Sequence, residues 1–291
     1  MKRLITLLVA SALFAGTASA QQDTRIMQVF KNGAVVFQSA VADIDSIIFF
    51  DPVTNPPQPP RPPFDCILGG SEYFVIFLDP ETRAQKADRI VSDFSPNDMY
   101  RFLWLWESSY DVVPPTGHLN FFGRHHSWIS LQVGMLGWSG KGYFVGNDFN
   151  EEWHSSALAQ LNKLSRIMEN PEEWYFHIAI KSNNVMDSHL IILDGSHGTR
   201  GRAVIGQLPF EEAGMIFQPH PNARILPNGE WHSVLIPMTY FMNYRHPGGF
   251  ANNLRYSANN TNIAGSNIFV TLSGGRPGTR LEYDAVFFIR R

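Results

Sequence analysis

The stretch Asn120 to Trp128, NFFGRHHSW, sets a guanidinium and two adjacent imidazoles among Phe121, Phe122 and Trp128. Three chemistries could use such a set: metal ligation, proton transfer beside a charge neutraliser, or recognition of a polyhydroxylated ring. Extended backbone sends neighbouring side chains to opposite faces. His125 and His126 could therefore share an ion only if Gly123 opens a turn. Zinc sites space their ligands, as in two histidines one helical turn apart, and the chain has neither HExxH nor paired cysteines.

Catalysis would need more. Glycoside hydrolysis uses two carboxyls flanking the scissile bond, and polysaccharide elimination uses a Tyr or His base beside an Arg or Lys. Glu107, Asp148, Glu151, Glu152 and Glu230 are available, with Tyr110, Arg124 and His125 for the second case. They form no E-x-D-x-x-E or R-x-E-x-R pattern, and no G-x-S-x-G nucleophile elbow occurs. A glycoside hydrolase or polysaccharide lyase stays open as an alternative, since spatial clusters need not be sequential.

Sugar binding asks less. A pyranose presents an apolar C–H face on which an indole or phenol stacks, while Asn, Arg and His bond its hydroxyls. Trp104 and Trp106 lie two apart and share one face of a strand, with Leu103 and Leu105 on the other. Tyr110, Asn120, Arg124, His125 and Trp138 complete the candidate ligand-binding set. NFFGRHHSW then reads as a strand end or turn beside a groove.

Positioning these residues falls to a β-rich chain. Strand-like runs recur at Glu72 to Leu78, Arg101 to Glu107, Ser127 to Val133, Tyr143 to Gly146, Trp174 to Lys181, Ser188 to Leu193, Glu230 to Ile236, Asn267 to Leu272 and Arg280 to Ile289. Turn residues such as Asp194-Gly195 and Pro227-Asn228-Gly229 separate them. In the last run, Leu281, Tyr283, Ala285, Phe287 and Ile289 alternate with Arg280, Glu282 and Asp284, which predicts one apolar and one polar face. Leu158, Leu161, Leu164 and Met168 form a helical stripe that Ser155 and Ser156 could cap and Asn170-Pro171 ends. Many strands, one helix and no βαβ alternation predict an all-β, two-sheet jelly-roll sandwich with an inserted helix over residues 64–291.

Ahead of that domain stand three shorter segments. Lys2 and Arg3, the apolar run to Phe14 and Ala18-Ser19-Ala20 read as a secretory signal peptide over residues 1–20. An exported product in the periplasm, at the cell surface or outside the cell is expected, with no membrane span. Residues 21–51 hold two strand-like runs about Asn32-Gly33, a hairpin signal. Residues 52–63 (PVTNPPQPPRPP) form a proline-rich linker of polyproline II character. Without Lys2 and Arg3 the formal charge of −3 becomes −5, which offers nucleic acid no electrostatic footprint. The single cysteine, Cys66, excludes an internal disulfide framework, so 44% apolar residues must supply the stability.

Two resemblances follow. Ala42 to Phe49, ADIDSIIF, resembles the "IDSI-F" ending of a short leader module common in secreted Bacteroidetes proteins. Trp174 to Lys181 (WYFHIAIK), Gly229 to Phe241 (GEWHSVLIPMTYF) and Tyr283 to Phe288 (YDAVFF) resemble, in the right order along the chain, strands of galactose-binding-like jelly rolls and related carbohydrate-binding modules. Ala285 stands where that family usually has Asn. The resemblance implies a non-catalytic, secreted protein that binds a glycan or polysaccharide in an aromatic groove. It also implies no cofactor beyond a possible structural Ca²⁺, with Asp284 as its ligand. A structural or adhesion module with a protein partner is the remaining alternative, and the sequence does not address oligomeric state.

Overall fold

The computed structural model describes residues 26–31, 34–40, 64–93, 103–105, 110–134, 139–145, 159–183, 188–212, 214–225, 228–247, 249–258, 266–273 and 277–291. The chain divides into two units, Met1–Pro60 and Arg61–Arg291. In the first, strands β1 (Ile26–Lys31) and β2 (Ala34–Ala40) pair antiparallel, with Lys31 opposite Ala34. The signal segment, the "IDSI-F" stretch and the proline-rich run lie outside the described residues.

The second unit contains β3 (Glu72–Phe77), β4 (Ile90–Asp93), β5 (Leu103–Leu105), β6 (Tyr110–Val112), β7 (Ile129–Val133), β8 (Ser139–Val145) and β9 (Trp174–Ser182). It continues with β10 (His189–Asp194), β11 (Arg200–Ile205), β12 (Phe210–Glu212), β13 (Met215–Phe217), β14 (His232–Pro237), β15 (Ser266–Ser273) and β16 (Arg280–Arg290). Five strands form the smaller sheet, in the order β11-β10-β15-β8-β5. Seven form the larger, in the order β14-β9-β16-β3-β4, with β7 also on β16 and β6 beyond it. All neighbours are antiparallel except β3 and β4. The two sheets enclose one core, in which Phe74, Phe176, Ile178 and Phe288 of the larger meet Ile191, Leu193, Ala203 and Phe269 of the smaller. This is the expected two-sheet jelly-roll sandwich.

The expected helix is present as residues 159–162, continued by a 3₁₀ stretch Lys163–Met168 that buries Leu164 and Ile167. Its capping serines fall outside the described residues. Short helices at Asp65–Leu68, Pro80–Gln85 and Met238–Asn243 add to it.

One expectation is corrected. The faces of β16 do not alternate through its length, because Ala285 adopts φ +49 and the pairing with β9 gains one residue between Asp284 and Phe287. This is a β-bulge. Leu281 and Tyr283 face the main core, and beyond the bulge Val286 and Phe288 take over that role. Ala285, Phe287 and Ile289 turn instead to a second cluster on the outer face of the larger sheet, with Tyr73, Val75, Phe121 and Phe122. Polar Glu282 and Asp284 therefore share their face with buried aromatic residues.

Candidate functional site

Residues 113–128 form no strand. They make a loop bound to the outer face of the larger sheet. Gly123, at φ +76, turns it tightly: its N–H donates to the Asn120 carbonyl, and the Asn120 N–H donates to that of Arg124. The Asn120 side chain, 1% exposed, caps the turn by accepting the N–H groups of Phe122 (3.0 Å) and Arg124 (2.9 Å). Phe121 and Phe122 then bury against Phe64 in edge-to-face contacts.

Four carboxylates hold the loop. Asp79, buried, accepts from the N–H groups of Glu81 and Thr82 at the start of helix Pro80–Gln85, an N-cap. The Arg124 guanidinium reaches the same oxygen at 3.2 Å and Glu81 at 3.4 Å. Glu282 accepts the Thr116 N–H (2.9 Å) and the Trp128 indole N–H (2.7 Å). The Lys181 ammonium lies 3.6 Å from Glu282, bonds the Thr116 carbonyl and sits over the rings of Trp128 and Trp231. Asp284 accepts the Phe121 N–H at 3.1 Å and the Ala285 N–H at 2.7 Å. Burial, aided by Asp79, raises its pKa from 3.8 to about 7, against the pull of those two donors.

The opening stretch is therefore largely architecture. Asn120 and Arg124 shape and anchor the loop, and His126 lies 3.7 Å from Glu81. His125 is exposed. Asp284, which the resemblance implied as a Ca²⁺ ligand, is fully buried, and each of its carboxylate oxygens accepts one backbone N–H. Among the described residues no three His, Cys, Asp or Glu side chains converge as a metal-binding set. Tyr110 is buried, 4% exposed, in the main core. Trp106 and Trp138 lie outside the described residues. Trp128 and Trp174 are buried and Trp231 is half-buried.

Trp104 belongs to the other sheet, so the candidates do not form one cluster. Register places it opposite Gly142, then Val270, Ile192 and Arg202, in a line across all five strands of the smaller sheet. One pleat along, Gly140 lies in line with Leu272, Leu190 and Val204. Toward β11 this outer face is covered, as Phe210 and Phe217 of the β12–β13 hairpin and Phe250 pack on Leu190, Ile192 and Val204. The Arg202 guanidinium closes the packing, 4.5 Å from the Phe250 ring and 3.0 Å from Glu212. Toward β5 the floor changes. Gly140 and Gly142 contribute no side chain, and Val270 beside them is half-buried. Neither glycine was a sequence candidate, although both stand in the same LGWSGKGYF stretch as Trp138.

No protein-family model matches the chain, and no curated protein does. Among solved structures, it is similar to a family 30 carbohydrate-binding module at TM-score 0.36 and 12% identity, over 65% of this chain and 92% of that one. A second such module, from a cellulosomal cellulase of Clostridium thermocellum, gives TM-score 0.34 and 11% identity over 65% and 91%. An exo-beta-agarase gives 0.36 and 8% over 69% of this chain and 25% of its own. The sandwich described above stands on its own sheet order and core.

Proposed function

We propose that this protein binds a carbohydrate on the outer face of its smaller sheet, along the strip floored by Gly140 and Gly142 and bordered by Trp104. The observation that carries the proposal is the register. Two glycines on one face of β8 stand between the Val270–Leu272 side and Trp104, and this row without side chains beside a tryptophan position supports the reading. A sugar ring needs an apolar surface on which to lie flat and an aromatic residue to stack against its C–H face. The covered half, with the hairpin and the paired Arg202 and Glu212, forms a wall on the β11 side. No carboxylate pair is needed for this role, and the reading is of a non-catalytic binder.

The test is affinity electrophoresis or calorimetry against a broad polysaccharide panel. Retention by at least one glycan is expected, weakened at least tenfold by Trp104→Ala. Gly142→Leu should do the same by filling the strip. An absence of retention across the panel would sink the proposal, as would full retention by Gly142→Leu.

A further inference from the structure

His246 is 2% exposed and packs against the β12–β13 hairpin. Its ring meets Phe217 of β13 edge-on at 4.8 Å, Tyr244 edge-on at 4.8 Å, and Tyr240 and Phe250 at 6.0 Å. Asn252 fixes its tautomer. The Asn252 Nδ2 donates to the carbonyls of Arg202 and Tyr240, and its Oδ1 accepts the Arg202 N–H. The same Oδ1 lies 3.2 Å from His246 Nε2, so Nε2 carries the hydrogen and Nδ1 the lone pair. Nδ1 is buried and has no hydrogen-bond partner. A proton placed there would find no acceptor.

We propose that the β12–β13 hairpin is an acid-released lid, latched by neutral His246, over the β10–β11 half of the smaller sheet's outer face. Protonating His246 sets a second cation beside Arg202. The Arg202 guanidinium lies 5.9 Å from the Phe217 ring and 4.5 Å from that of Phe250, and both rings also touch His246. The Glu212 carboxylate of β12 is already bonded to Arg202 at 3.0 Å. From the helix Met238–Asn243 and its end, the phenols of Tyr240 and Tyr244 face the imidazole, and neither is charged at neutral or acid pH. The neighbouring Arg245 guanidinium bonds the Gly249 carbonyl and adds only positive charge. Burial, with Arg202 beside it, holds the His246 pKa below the ordinary 6.5, against the pull of Asn252.

The hairpin opens before the sandwich because it is held differently. Among the described residues β12 and β13 pair only with each other. Phe210 and Phe217 belong to a small cluster with Leu190, Ile192 and Val204, separate from the main core. The Arg202–Glu212 pair and the Ser188 hydroxyl, which bonds the Leu208 carbonyl and N–H, tie the hairpin down. Such satellite elements open at lower cost than core strands. The closed lid binds the His246 proton weakly and the open lid binds it with ordinary affinity. The open fraction therefore grows as pH falls below 6.5, by at most about tenfold per unit. Once lifted, the hairpin uncovers Leu190, Ile192 and Val204, which continue the rows of Gly140 and Gly142 to β11.

Native-state hydrogen exchange on the full chain, corrected for the intrinsic effect of pH, reads the opening without any glycan. The lid and the glycan-binding strip can therefore fail separately. Between about pH 7.5 and about pH 5.5, the amides of β12 and β13 should lose protection by about tenfold, while those of β9 and β16 stay protected. In His246→Gln, which cannot take up the proton, the loss should shrink to less than about twofold. An unchanged hairpin, a loss shared equally by β9 and β16, or the same loss in His246→Gln overturns the proposal. Should the variant not fold, the contrast between β12–β13 and β9–β16 in the native chain still decides.

Discussion

Arg124 is the residue whose role differs most between sequence and structure. As a sequence feature it is a cation beside aromatic rings. In the fold its guanidinium neutralises buried Asp79 and, with Glu81, ties the loop to the start of a helix. Removing one partner of a buried pair leaves an uncompensated charge. Arg124→Ala should cost about 2–3 kcal/mol, read as a lower urea midpoint, with glycan retention unchanged. Two other residues set the response to acid. Asp284 is raised to about 7, so the folded chain holds its proton more tightly than the unfolded chain does. Its contribution grows as pH falls through about 7 and is complete below the ordinary 3.8. His177 is depressed to about 4, so folding opposes its protonation and stability is lost as pH falls from 6.5 toward that value. Buried His220 and His246 act in the same sense as His177. Stability should rise on going from about pH 8 to pH 6.5, by at most ~1.4 kcal/mol per unit from Asp284, and then fall as the three histidines together outweigh it. Urea midpoints across that range test this, and the rise should vanish in Asp284→Asn.

Among the elements, the long strands were legible because burial on both faces demands near-continuous apolar runs bounded by turn residues: Trp174–Ser182, His189–Asp194 and Ser266–Ser273 lie close to their expected limits. Strand β11 was not. Arg200 and Arg202 break its apolar pattern, and only the fold shows that Arg202 is buried by Phe250 and Glu212. The bulge in β16 was also invisible, since YDAVFF reads as a regular strand. Nothing in an alanine announces φ +49. Of the candidate site, Trp104 was legible as an aromatic strand residue, whereas the glycine strip beside it depends on pairing between strands remote in sequence. Left-handed backbone is far less tolerant of a β-branched side chain than of alanine. Ala285→Val should therefore destabilise the domain by roughly 2 kcal/mol or more, seen as a lower thermal midpoint.

For the whole molecule, the main core draws on both sheets and lies entirely within Arg61–Arg291. That unit, produced alone, should unfold in one cooperative transition and keep whatever glycan retention the full chain shows; a multi-step transition would count against it. Among the described residues the smaller unit contributes a two-stranded pair, which by itself is marginal in water. One consequence reaches back to the last strand. Delete Ala285 outright, and Val286 slides into the vacated slot behind Tyr283, so every inward side chain of β16 still points inward. The sandwich would survive the loss of a codon there, and the lost residue would take with it the carbonyl that bonds His177 and the N–H that bonds Asp284. A shortened chain that still melts in one cooperative step would show that the pleat, and not the extra residue, keeps this strand seated.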